Sequence, residues 1–140
     1  MDIKELKPTS IWHYFDAITG VPRPSKKEER IREFLLNFAK EQNLEVKVDK
    51  TGNVVITKEA TPGCEGAPTV ILQAHMDMVC EKNGDVKHDF ERDPIETYID
   101  GEWVKARGTT LGADNGIGMA AAMAVLADKE LKHGRIQALF

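Results

Sequence analysis

Cysteine is nearly absent from this 140-residue sequence. Only Cys64 and Cys80 occur, too few and too irregularly placed for a disulfide framework or a cysteine-based zinc knuckle, and both are read as free thiols. No apolar run approaches the ~20 residues of a membrane span, and there is no low-complexity tract and no repeat with a period of tens of residues. The opening stretch Met1-Asp2-Ile3-Lys4-Glu5-Leu6 mixes charges of both signs and lacks the apolar segment and small-residue cleavage site of a secretory signal. A cytoplasmic location without membrane contact is therefore expected. An excess of positive charge is also missing: the formal net charge is −4 and the pI about 5.6, which argues against a nucleic-acid surface. The pair Lys26-Lys27 is answered at once by Glu28-Glu29 and reads as a solvated helix start. What the chain does have, 41% apolar and 30% charged residues, is the profile of one globular domain with a substantial core.

The pattern of elements is α/β. Ile11, Trp12, Phe15 and Ile18 recur at helical spacing, and Gly20-Val21-Pro22-Arg23-Pro24 stops that helix. Ser25 followed by Glu28 has the form of a capping box for a second helix, with Ile31, Phe34, Leu35 and Phe38 as its apolar stripe and an end near Gln42. Leu44, Val46 and Val48 alternate with charged residues, and Lys50-Thr51-Gly52-Asn53 turns the chain into Val54-Val55-Ile56, so a β-hairpin is expected. Thr69 to Ala74 reads as a strand of the buried kind. A long ordered loop follows, with a turn at Tyr98-Ile99-Asp100-Gly101 before the short strand Trp103-Val104-Lys105-Ala106. From Asn115 the residues are small and apolar almost all round, which suits a helix packed closely on a sheet, and Ile136 to Phe140 begins another strand. Ending inside an apolar β-type run, the sequence has the look of a truncation. The fold class expected is a mixed sheet flanked by helices, with the chemistry at strand ends.

That chemistry starts at His75-Met76-Asp77, directly after the strand Thr69 to Ala74. In extended backbone residues i and i+2 face the same way, so His75 and Asp77 reach one site. A metal-bound imidazole usually gives its second ring N–H to a carboxylate, and Asp77 is placed for that role. A bare His-x-Asp pair is weak evidence alone, since strand-end histidines and turn aspartates are common. The second element is Gly108-Thr109-Thr110-Leu111-Gly112-Ala113-Asp114-Asn115-Gly116-Ile117-Gly118, whose glycines allow tight bending near Asp114. A carboxylate can bridge two cations ~3.5–4 Å apart, as in two-metal hydrolases. Asp114 is equally suited to cap the following helix, and the two roles are compatible. A phosphate loop is disfavoured because the Walker lysine pattern is absent and an aspartate would repel the phosphate.

The segments Gln73-Ala74-His75-Met76-Asp77-Met78-Val79-Cys80-Glu81-Lys82 and Gly108 to Gly116, with Trp12-His13-Tyr14-Phe15 and Pro22-Arg23-Pro24-Ser25 upstream, resemble the zinc exopeptidases related to aminoacylase and peptidase T, and within them the aminoacyl-histidine (Xaa-His) dipeptidases. The resemblance covers essentially the whole chain and makes residues 1–140 the N-terminal part of a catalytic metallopeptidase domain. It implies that His75 ligates one zinc, that Asp114 bridges two, and that Asp77, the catalytic-site carboxylate, orients His75. It further implies hydrolysis of dipeptides with C-terminal histidine, a zinc pair that manganese or cobalt could replace, a small peptide as substrate, and a homodimeric full-length enzyme. The family's general-base glutamate, remaining ligands and lid-like dimerisation domain have no counterpart here. Two ligands do not complete a four-coordinate zinc site, so the 140 residues alone are expected to bind zinc weakly or not at all and to be inactive. The alternatives are a deacylase of N-acyl amino acids from the same superfamily, and a non-catalytic interaction module that keeps the hydrolase core.

Other candidates are set aside. His13 reads as a packing or surface residue, His88 as part of a polar loop, and His133 as a helix-end residue favoured by the macrodipole. Cys80 has no cationic neighbour in sequence except Lys82 and is read as a structural thiol. Met76, Met78, Met119 and Met123 are read as packing residues.

Overall fold

The computed structural model describes residues 2–140, leaving Met1 of the mixed-charge N-terminal stretch outside the described residues. After a short 3-10 turn at Ile3–Glu5, helix α1 runs Thr9–Thr19 and puts Phe15 and Ile18 into the core. Helix α2, Glu29–Glu41, buries Ile31, Leu35, Phe38 and Ala39, the i, i+4, i+7, i+8 stripe that a one-faced helix requires. Leu35 is fully buried. Leu35→Ala in the full-length protein is expected to cost about 2–5 kcal/mol, read as a lowered unfolding temperature.

The start of α2 departs from the capping-box expectation. The helix begins at Glu29 with Glu28 as N-cap and no side-chain cap bond. Lys26 adopts a positive φ of 71°, which breaks the helical path between Ser25 and Glu28. Glu28 Oε1 instead accepts from the Lys26 amide, and Ser25 points elsewhere.

Strands β1 (Glu45–Val48) and β2 (Val54–Lys58) form the expected antiparallel hairpin, with Val48 opposite Val54. Its turn is organised by Asp49, whose carboxylate accepts from the amides of Thr51, Gly52 and Asn53. Strand β3 (Val70–Gln73) and the last strand, β6 (Ile136–Leu139), pair in parallel, and β6 pairs antiparallel with β2. The resulting mixed sheet has the order β1-β2-β6-β3. Among the described residues β3 has a paired neighbour on one side only, and Val70 and Ile71 are 52% and 64% exposed. An apolar run reports hydrophobicity and not position within a sheet. The buried strand is β2, where Val54 and Ile56 are fully enclosed.

A second sheet has two strands, β4 (Thr97–Asp100) and β5 (Trp103–Ala106), in antiparallel register. Tyr98-Ile99-Asp100 thus belongs to a strand and not to the turn expected there; the turn is at Gly101, with φ of 61°. Helix α3 (Ala113–Ala127) buries Met119, Ala120, Ala122, Met123 and Leu126. Its small residues lie mostly against α1, with a lesser contact to β3, so the close partner is a helix more than the sheet. His133 falls in the loop before β6, six residues past Ala127 at the end of α3, and not at a helix terminus. Among the described residues no helix is long and apolar enough to cross a membrane.

Candidate metal centre

The site forms where β3 ends. The amide of Ala74 donates to Leu139 O at 3.0 Å, which carries the β3–β6 ladder one residue further and fixes the strand direction into His75. Beyond it, Met78 N donates to Arg23 O at 3.0 Å, and Pro24 and Met78 form a parallel bridge. The glycine-rich segment is stitched to the same stretch: Thr110 N donates to Glu81 O at 2.9 Å, Thr110 Oγ1 donates to Val79 O at 2.7 Å, and Lys82 bridges Thr109. Two motifs some forty residues apart in sequence are thereby held side by side.

Their side chains converge. His75 Nδ1 is 3.0 Å from Asp77 Oδ1 and 3.0 Å from Asp77 O, while His75 Nε2 is 2.9 Å from Asp114 Oδ1. Asp77 is half-buried and Asp114 is almost fully exposed, at 33% and 96% of side-chain area. Asp77 Oδ2 accepts a 2.5 Å hydrogen bond from Ser25 Oγ. That hydroxyl is the main influence holding the Asp77 carboxyl below the usual range, with His75 helping and burial opposing. For His75, burial is the largest single influence and lowers the pKa, but it is outweighed by the hydrogen bonds to Asp114 and Asp77 and by the Asp77 charge, so the net shift is upward. Asp114 does not cap α3; Gly112, with φ of 75°, is the N-cap, and Asp114 and Asn115 are non-helical residues within the first turn. The peptide between them is cis.

Whether these residues suit a cation is decided by where the protons are. Both oxygens of an ionised Asp77 are acceptors, and so is its carbonyl, so His75 Nδ1 must carry the hydrogen that they share. In neutral His75, Nε2 then presents a lone pair to Asp114 Oδ1 only 2.9 Å away, two acceptors facing each other. Either a proton or a metal ion resolves that repulsion, and both compete for the same lone pair. Donors ~2.0–2.1 Å from a tetrahedral zinc stand about 3.3 Å apart, so His75 Nε2 and Asp114 Oδ1 need move only slightly to share one ion. The donor set fits. It is also short: among the described residues no group of three or more His, Cys, Asp or Glu is placed to hold a metal.

Two residues that the sequence does not single out lie behind this centre. Ser25, read as a helix cap, is the partner of Asp77. Arg23 is 1% exposed and donates to the carbonyls of Met76 (3.2 Å), Asp77 (3.4 Å) and Gly112 (2.7 Å). Burial lowers its pKa to about 10, against the favourable charges of Cys80 and Asp77. Cys80 thus has Arg23 as a cationic neighbour, yet burial dominates and the thiol pKa is raised, in keeping with a structural thiol. An arginine between Pro22 and Pro24, held in a segment of restricted φ, was the available signal. The glycines of the second motif serve different needs. Gly112 takes up a positive φ, whereas a Cβ at Gly118 would fall 2.1 Å from Asn115 Oδ1, so Gly118 makes room for the Asn115 amide.

The fold is shared with solved peptidase structures. A dinuclear metal-binding peptidase of the M20 family from Bacillus subtilis shares the fold, with a TM-score of 0.55 at 16% identity over 94% of this chain and 34% of its own. At far higher similarity, the aminoacylhistidine dipeptidase of Vibrio alginolyticus superposes with a TM-score of 0.97 and 56% identity over 99% of this chain, and the cytosol non-specific dipeptidase of Escherichia coli (strain K12) is 53% identical over 99% of it. The family resemblance carried by the two motifs therefore holds along almost the entire chain. The chain spans 28% of the length of each of these two relatives. No family model matches it.

Proposed function

We propose that this chain supplies His75 and Asp114 as ligands to a two-metal centre of a dipeptidase, and that the remaining ligands and the general base come from residues outside these 140. The observation that carries the reading is the approach of His75 Nε2 to Asp114 Oδ1 at 2.9 Å with Asp77 bonded behind the imidazole, in a chain more than half identical to two dipeptidases. Donor number supports the second half: a catalytic zinc keeps three protein ligands, and a two-metal site needs more than an imidazole and one bridging carboxylate. In this reading residues 1–140 are the N-terminal part of the catalytic domain of a cytoplasmic, homodimeric enzyme.

When bound, a metal pair polarises the scissile carbonyl and makes a water acidic enough to attack at neutral pH. The chain's own residues prepare that chemistry. Ser25 fixes one oxygen of Asp77, Asp77 fixes the His75 tautomer through the other, and His75 then offers Nε2 as a neutral donor. Asp114, exposed at the mouth of the site, is free to place its second oxygen on a further ion. Imidazole and carboxylate donors favour zinc, with manganese and cobalt as chemically acceptable substitutes.

Dipeptide hydrolysis is favoured over N-acyl amino acid deacylation because both close relatives bear dipeptidase names. The full-length enzyme, loaded with zinc, is expected to cleave Xaa-His and other dipeptides and to lose that activity on chelation. Preference for N-acetyl amino acids in the same panel would overturn the reading in favour of the deacylase. The 140 residues alone are expected to show no hydrolysis.

A further inference from the structure

Arg23 is the most unusual charge in the molecule. It is 1% exposed, its Nε has no hydrogen-bond partner among the described residues, and its guanidinium makes no salt bridge there. A buried cation is costly, and apolar residues of similar volume generally stabilise such a position as well or better. Stability does not account for an arginine here; its contacts do. Nη1 reaches the carbonyls of Met76 and Asp77, on the strand-end loop, and Nη2 reaches the carbonyl of Gly112, two residues before Asp114. These bonds join segments 53, 54 and 89 residues from Arg23 in sequence.

The glycine-rich motif is shaped around the same side chain. A Cβ at Gly112 would lie 2.6 Å from Arg23 Nη2, and one at Gly116 would lie 2.7 Å from it. Gly116 needs no special φ, so its requirement is for space alone. Two glycines bracket Asp114, and both leave room for one guanidinium, Gly112 also for the Met78 thioether at 2.8 Å and Gly116 also for the Phe15 ring at 3.2 Å.

We infer that Arg23 is a positioning residue that sets the separation between the His75–Asp77 loop and the Asp114 loop, with Gly112 and Gly116 as its socket; the claim that this separation matters for metal binding rests on the metal centre proposed above. A lysine would carry the charge but, as a point donor, would not span carbonyls of both loops.

The test uses the full-length enzyme and its R23K, G116A and R23K/G116A variants, with L35A as a control for destabilisation elsewhere in the core. Zinc affinity is measured by competition with a chromophoric chelator. Amide hydrogen exchange over residues 76–82 and 108–116 is measured on the metal-free proteins. R23K and G116A are each expected to lose about tenfold or more in zinc affinity and to exchange faster in both segments. The double variant should lose less than the sum of the two single losses, because both changes disturb one contact. L35A should keep zinc affinity within about twofold despite its lower unfolding temperature. A purely structural role predicts that L35A, R23K and G116A each weaken zinc only in proportion to their lost stability; that result overturns the inference. If the wild type binds no zinc, the metal-centre reading fails by itself, and hydrogen exchange still decides whether Arg23 locks the two loops.

Discussion

Replacing Asp114 by Ala in the full-length enzyme is expected to abolish dipeptide hydrolysis and to reduce bound metal. Asp114 is the acid that faces His75 Nε2, at 2.9 Å, and its side chain is 96% exposed. Exposure to this degree removes the usual structural reasons for a large effect: the carboxylate caps no helix and its removal opens no core cavity. Folding should therefore be nearly unchanged, while the proposed metal pair would lose its shared ligand. Lewis-acid stabilisation by such a pair is worth several kcal/mol of the barrier, so a loss of about 10³-fold or more in turnover is anticipated. Metal content measured on the purified variant separates the explanations. Unchanged zinc with lost activity would take Asp114 out of the bridge and give it a role toward substrate.

Asp77→Asn should give the second largest effect, a fall of about 10–100-fold in metal affinity with the fold intact. The change removes one charge and little volume, but Asn offers an N–H₂ as well as an oxygen. If the amide turns its N–H₂ toward His75 Nδ1, the imidazole proton moves to Nε2, the atom that must donate a lone pair to the metal. Ser25 makes that turn favourable, since its hydroxyl donates at the Asp77 Oδ2 position and needs an oxygen there. Ser25→Ala is accordingly expected to act in the same direction with smaller size. Equal zinc affinity of wild type and Asp77→Asn would show that His75 is oriented by the Asp77 carbonyl, also 3.0 Å from Nδ1, and not by the carboxylate.

How much of this was legible in the sequence depends on the range of the interaction. Helices with one apolar face and the hairpin turning at Gly52 follow from local periodicity and were readable. Strand geometry placed His75 and Asp77 in one site, whereas the convergence of Asp114 on His75 was readable only through the family resemblance of the two motifs. The misreadings have a common cause. Ser25-x-x-Glu28 satisfies a local capping pattern, but the stronger partner for the hydroxyl is a carboxylate 52 residues away. Tyr98 to Asp100 looked like a turn because of the Asp-Gly pair that follows, whereas the pair marks the turn of a hairpin whose first strand those residues form. Arg23 was hidden most completely: its flanking prolines mark a constrained position, but they do not record the carbonyls that surround it.

The direct test of the central claim is a crystal structure of the full-length enzyme soaked with zinc, with anomalous scattering at the zinc edge. The account predicts a peak within coordination distance of His75 Nε2 and an Asp114 oxygen, with Asp77 retained on His75 Nδ1. Strong zinc peaks elsewhere, with the hydrogen bond between His75 and Asp114 still closed, would contradict it.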